Sequence, residues 1–216
     1  MLRAENIVKS YRNLNVLKRV NLEVQKGEIV SIVGASGAGK STLLHILGTL
    51  DQPDDGNVYL EGYNLIRLKN SDLSKFRNKK IGFIFQFHNL LPEFTALENV
   101  CIPGYLGNRD EKQVEEKALH LLKLLGIEDR AHHKPSELSG GEQQRTAVAR
   151  ALINDPAVVL ADEPSGNLDS KNAEELHQLF FKLREELGQT FIIVTHNNEL
   201  ASHSDRKLEI KDGILD

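Results

Sequence analysis

A chain of 216 residues, 40% hydrophobic and 27% charged, has the apolar content of a soluble globular protein and enough length for one domain or two. Its net charge of −4, with Lys and Arg dispersed among acids, argues against an electrostatic nucleic-acid surface, and no apolar run approaches the ~18 residues of a membrane span. The single Cys101 excludes an internal disulfide and a cysteine metal site; a reducing compartment, the cytosol, is the expectation, and Met1 opens on strand-like residues with no basic-then-apolar leader.

Leu2, Ala4, Ile7 and Val8, then Val16, Val20, Leu22 and Val24, alternate as two half-buried strands ending at the Lys26-Gly27 turn. Ile29 to Val33 is a short apolar run, expected as a buried strand, after which glycines turn the chain into a helix from Lys40 to about Leu50. Pro53-Asp54-Asp55-Gly56 is a turn before the strand Val58 to Leu60, and Ile81 to Phe85 is a further strand. Residues 87–155 change character: no convincing strand occurs, and Val114, Ala118, Leu121, Leu122 and Leu125 share one helical face. A helical subdomain inserted at about 87–155 is expected, within a single domain of residues 1–216 whose core is about 1–86 and 156–216. Val158 to Ala161, a helix from about Lys171 to Leu187, and Phe191 to Val194 make a βαβ unit and imply a parallel sheet; Arg206 to Ile214 closes as a hairpin. The fold class is α/β: a mostly parallel sheet in a core that the glycine-rich loop Gly34 to Thr42, between strand and helix and ending Gly-Lys-Ser-Thr, marks as that of a P-loop NTPase, with an N-terminal antiparallel β part and the helical insertion.

The motifs are sharper than the elements. Gly34-Ala35-Ser36-Gly37-Ala38-Gly39-Lys40-Ser41-Thr42 matches the P-loop pattern in full, between a buried strand and a helix. Its glycines let backbone N–H groups wrap phosphates, Lys40 supplies positive charge, and Ser41 suits Mg²⁺. Asp162, at the end of an apolar strand, suits the same metal through water, and Glu163 beside it is placed as a general base. Ser139-Gly140-Gly141-Glu142-Gln143 is a second glycine-rich turn that opens a helix, and so a second anion grip. One nucleotide needs only one such loop.

Leu-Ser-Gly-Gly-Glu-Gln at 138–143, lying between a P-loop and an acidic strand end, resembles the ATP-binding subunits of ABC transporters. The resemblance runs through the whole chain and implies ATP and Mg²⁺ as cofactors. It implies that Ser139, Gly140, Gly141 and Glu142 close over the ATP of a second copy, making a head-to-tail homodimer. It implies that Tyr11 stacks on adenine, that His196 meets the γ-phosphate and attacking water, and that Gln86 reaches metal and water. Ser165 to Asp169 would lie across the dimer boundary, or cap the helix that follows. The segment Phe87 to Val100 would border the groove for an integral membrane subunit, placing the chain on the cytoplasmic face of a bacterial inner membrane.

Residues 85–100 and 165–169 look like the group of lipoprotein-releasing, macrolide-export and cell-division ABC ATPases. Ser165 replaces a commoner Thr and Thr49 a commoner Gly, and no C-terminal regulatory domain is expected after Gly213. ABC proteins of DNA repair would separate the two glycine-rich motifs by a long coiled coil, ribosome-bound ones would fuse two ATPase units, and a simple kinase or GTPase would leave residues 139–143 and His196 unexplained. The expected function is ATP hydrolysis driving a membrane partner, with lipoprotein release the first candidate.

Overall fold

Two sheets separate the strands by partner and direction in the computed structural model, which describes every residue from Met1 to Asp216. Strands β1 (Leu2–Tyr11), β2 (Leu14–Val24), β4 (Asp55–Leu60) and β5 (Tyr63–Asn64) form an antiparallel sheet in the order β2-β1-β4-β5. Strands β3 (Ile29–Val33), β6 (Ile81–Phe85), β7 (Val158–Asp162), β8 (Phe191–Val194), β9 (Arg206–Lys211) and β10 (Ile214–Leu215) form the other, ordered β10-β9-β3-β8-β7-β6. Every pairing from β9 to β6 is parallel, and only β10 runs antiparallel.

The parallel strands are apolar throughout because both of their faces are covered. Alternate residues sort into two cores. Val30, Ile32, Val158, Leu160, Ile192 and Val194 face the antiparallel sheet and helix α1 (Lys40–Leu47). Ile29, Val159, Ala161, Phe191 and Ile193 join a second core with α3 (Ala96–Leu106), α4 (Glu111–Leu124), α5 (Gly140–Leu152) and α6 (Ser170–Leu187). Burying each such Ile or Val contributes about 1.5–3 kcal/mol, and a one-residue slip in register would exchange the two cores.

No strand falls within residues 87–155, and α4 buries Val114, Ala118, Leu121 and Leu122 as its periodicity requires. Four helices differ from expectation. Helix α2 (Asn70–Lys80) buries no residue completely, so it carries no apolar stripe to read. Helix α3 contains Pro103 and starts at a reciprocal Thr95–Glu98 cap, and a short α7 (Asn198–His203) follows β8.

The fourth difference is where α1 stops: at Leu47, short of the expected Leu50. Thr49 N donates to Ile46 O at 3.0 Å and Leu50 N to His45 O at 2.8 Å, the two reversed bonds of a Schellman ending. That ending needs a left-handed residue at Thr49, whose φ is 59°, a conformation that opposes a β-branched side chain. Gly48 is fixed separately, because a Cβ there would run into the Phe83 ring. Thr49 Oγ1 is also shielded from solvent without a hydrogen-bond partner. Thr49→Gly should therefore raise stability by about 1 kcal/mol. Urea denaturation reads this as a higher midpoint at unchanged slope; a lower midpoint would mean that the threonine methyl packs better than its backbone is strained.

Candidate active site

Parallel order brings four loops to one edge. The loops after β3, β8, β7 and β6 all leave the carboxyl ends of adjacent strands, where open α/β sheets bind ligands. The loop after β3 is Gly34 to Gly39. Gly34 sits at φ 149°, where a Cβ would strike the Ile210 carbonyl of β9, and Gly37 and Gly39 have φ of 78° and 105°. Gly39 precedes α1 with no side-chain cap, leaving the first N–H groups of that helix facing the loop. Lys40 Nζ donates to the carbonyls of Gly34 at 2.9 Å and Ala35 at 3.0 Å.

Ser41 Oγ donates to Asp162 Oδ1 at 3.0 Å, joining the loop after β3 to the end of β7. Hydroxyl and carboxylate are hard oxygen donors, the chemistry of Mg²⁺. Glu163, the next residue, has φ 47°, uncommon for a non-glycine and a form of strain found where surrounding contacts over-determine the backbone. Here those contacts are Glu163 N to Val194 O at 2.9 Å and, from the loop after β8, His196 N and Nδ1 to Glu163 Oε2 at 3.2 and 2.8 Å. His196 is otherwise exposed. From the loop after β6, Gln86 Nε2 donates to Asn167 Oδ1 at 3.1 Å while Asn167 Nδ2 donates to Gln86 O at 3.0 Å. Lys40, Ser41, Gln86, Asp162, Glu163 and His196 thus share one rim.

The second glycine-rich turn stands apart: no hydrogen bond or ion pair joins Ser139–Glu142 to Gly34–Thr42. Its helix is capped in both directions, Ser139 N donating to Glu142 Oε2 at 2.8 Å and Glu142 N to Ser139 Oγ at 3.3 Å. The first helical bond is Gln143 N to Ser139 O, so the N–H groups of exposed Gly140 and buried Gly141 lie ahead of it. The Glu142 carboxylate on this turn is itself paired. Arg130 Nε meets Glu142 Oε1 at 2.9 Å and, with the Ser139 N–H, holds the Glu142 carboxyl down at about 2.

Comparison with known proteins decides the family. A family model described as "ABC transporter" matches residues 17–166. The chain belongs to the ABC transporter family. Among its relatives, a protein of Bacteroides thetaiotaomicron named "Lipoprotein-releasing system ATP-binding protein LolD" is 60% identical over 215 residues, covering 100% of this chain and 99% of that one. An Aquifex aeolicus protein of the same name is 52% identical over 213 residues, 99% of this chain and 95% of the relative. A solved dimeric ATP-binding cassette, bound to ADP and Pi in a post-hydrolysis state, superimposes with a TM-score of 0.91 at 44% identity, covering 100% of this chain and 97% of that one. The chain is accordingly an ABC ATPase, and binds ATP.

Several supporting residues of this ABC cassette carry no sequence signal. Tyr11 ends β1 half-exposed, its hydroxyl donating to the Asp51 carboxylate, while Lys9 Nζ lies 5.0 Å from the ring centroid and 2.8 Å from Asp51 Oδ1. The hydrogen bond from Lys9 to Asp51 raises the ammonium's pKa, and that from Tyr11 raises the phenol's. Burial pushes the Asp51 carboxyl up, but the bonds from Lys9 and Tyr11 and the Gln52 N–H together bring it below the ordinary range. Asp51, Lys9 and Arg130 leave no local pattern because each matters through a partner distant in sequence. Ser165 to Asp169 also serve as expected at the helix start: Asp169 caps α6 by accepting from Asn172 N at 3.0 Å.

The Arg130–Glu142 pair makes a titration prediction. A carboxyl depressed in the folded state contributes stability above its unfolded pKa, lost as pH falls through the folded value. For Glu142 that window runs from the ordinary carboxylate range, about 4.3, down to about 2. Arg130→Met should move the Glu142 midpoint up towards the ordinary range in carboxyl-carbon NMR. An unmoved midpoint would assign the depression to the Ser139 cap alone.

Proposed function

We propose that this ABC cassette hydrolyses ATP in a homodimer to drive the release of lipoproteins by an integral membrane partner, from the cytoplasmic face of a bacterial inner membrane. The observation that carries the catalytic part is the Glu163–His196 bond of 2.8 Å at the strand edge that also holds the P-loop. In this reading Glu163 accepts the proton of the attacking water, His196 holds Glu163 and meets the γ-phosphate, and Gln86 orients the water. Residues 34–42 wrap the phosphates, and Tyr11 offers its free ring face to adenine. Mg²⁺ suits Ser41, Gln86 and, through water, Asp162, and would neutralise phosphate charge.

The dimer follows from the separation of the two anion grips. With Ser139 and Gly140 exposed and no link to its own P-loop, this turn is free to close on the P-loop of a second copy, and the solved relatives are described as dimers. Lipoprotein release is supported by the names of full-length relatives at 50–60% identity. No helix is long and apolar enough to cross a membrane, so any membrane task passes through a partner. Phe87, Leu91 and Phe94, exposed at 71, 44 and 40%, follow Gln86 directly and offer that partner an apolar surface. The helical stretch at about 87–155 would then act as the subdomain that carries both this surface and the Ser139 turn.

Glu163→Gln should bind ATP and turn it over at least about 100-fold more slowly, since the amide keeps the shape and loses the base. ATP should then hold the variant as a dimer in size-exclusion chromatography; a monomer at saturating ATP would overturn the shared site. Leu91→Glu should leave ATP binding intact and reduce co-purification with the membrane subunit. Unchanged recovery and transport in a folded Leu91→Glu protein would remove Leu91 from the docking surface.

A further inference from the structure

Gln144 belongs to none of the motifs, yet it is fully buried among them. It sits on α5 two residues after Glu142, in the helix that the Ser139 turn opens. Its Nε2 donates to the Pro164 carbonyl at 2.7 Å and lies 3.5 Å from the Phe85 carbonyl. Pro164 directly follows Glu163, and Phe85 directly precedes Gln86. Phe85 and Asp162 are also the last paired residues of β6 and β7, so the amide bridges two chain segments just where their ladder ends.

Packing does not account for an amide here. Gln144 Oε1 is shielded from solvent without a hydrogen-bond partner, which disfavours glutamine against an apolar side chain of the same shape. What the amide adds is a tie. The same helix takes hold beyond Gln86 as well: Arg150 Nη1 and Nη2 donate at 2.6 Å to the carbonyls of Asn89 and His88, whose φ values of 50° and 41° are left-handed. Helix α5 therefore grips the chain before and after Gln86, and through Gln144 it also grips the residue after Glu163. A rigid helix tied at these points cannot turn at its N-terminus without moving both loops.

We propose that Gln144 is a positioning residue that makes the Ser139 turn and the hydrolytic edge one body, so that α5 sets where Glu163 and Gln86 stand when its N-terminus meets phosphate. This rests on the roles proposed above for Glu163 and Gln86. It assigns to Gln144 the in-chain half of communication between the two phosphate grips.

The test uses the full chain. Gln144→Met keeps volume and flexibility and removes the donor; it should lower kcat on the order of 10²-fold, the scale set by a misplacement of about 1 Å. ATP affinity, read with a fluorescent ATP analogue, should stay within about threefold. Gln144→Asn, which keeps the amide and shortens its reach, should show the same split and serves if the methionine variant does not fold. Adding Gln144→Met to Gln86→Ala should lower kcat by less than about threefold, since both act on one arrangement, whereas independent defects would multiply. Full kcat per folded molecule in either Gln144 variant, a parallel fall of kcat and ATP affinity, or multiplying losses would overturn the proposal. Turnover retained by Glu163→Gln would instead fail the reading of the site, a result distinct from an active Gln144→Met beside an inactive Glu163→Gln.

Discussion

Parallel pairing of β3, β8, β7 and β6 is the constraint on which the rest depends. Parallel strands cannot be joined by tight hairpins, so each must be followed by a crossover, and every crossover starts at the same edge. Four loops that are far apart in sequence are thereby forced to be neighbours. The residues they carry need no further device to meet: Ser41 reaches Asp162, and Glu163 reaches His196, simply because β3, β8 and β7 are adjacent. Two-sided burial then fixes the register, since alternate residues of each strand belong to different cores.

On this edge the backbone is held in conformations that its side chains do not favour. Glu163, His88 and Asn89 all have positive φ without being glycine. Each is held by hydrogen bonds from elsewhere in the fold: Glu163 by Val194 and His196, His88 and Asn89 by Arg150. Strain placed where the proposed hydrolytic groups sit, and supported from an adjacent strand or helix, would orient them before any substrate arrives. The strain at Thr49 is different in kind, for it ends a helix and lies outside that edge.

The chemistry is more legible in the sequence than the scaffold around it. Residues 34–42 and 139–143 can be read because glycine, lysine and serine at fixed spacing suit a phosphate-binding turn and little else, and Asp162 and Glu163 because an apolar strand leads into them. Helix α2 escapes because its packing buries no side chain fully, and α1 reads as too long because Thr49 stands where a glycine would mark the stop. The Ser139 turn reads as a free helix end; it is a capped one, with Glu142 neutralised by Arg130. Pairings such as Tyr11 with Asp51, or Gln144 with Pro164, depend on tertiary proximity and leave no local pattern.

Strand order also has a consequence for synthesis. The P-loop strand β3 is made early, but its two neighbours, β8 and β9, come from residues 191–194 and 206–211. Until those residues leave the ribosome, β3 has two open edges, and Gly34 lacks the Ile210 carbonyl against which its loop is shaped. Contacts of such long sequence separation form late and slowly. A nascent chain of this protein therefore lacks the shaped phosphate loop until residues 206–211 are free to pair with β3.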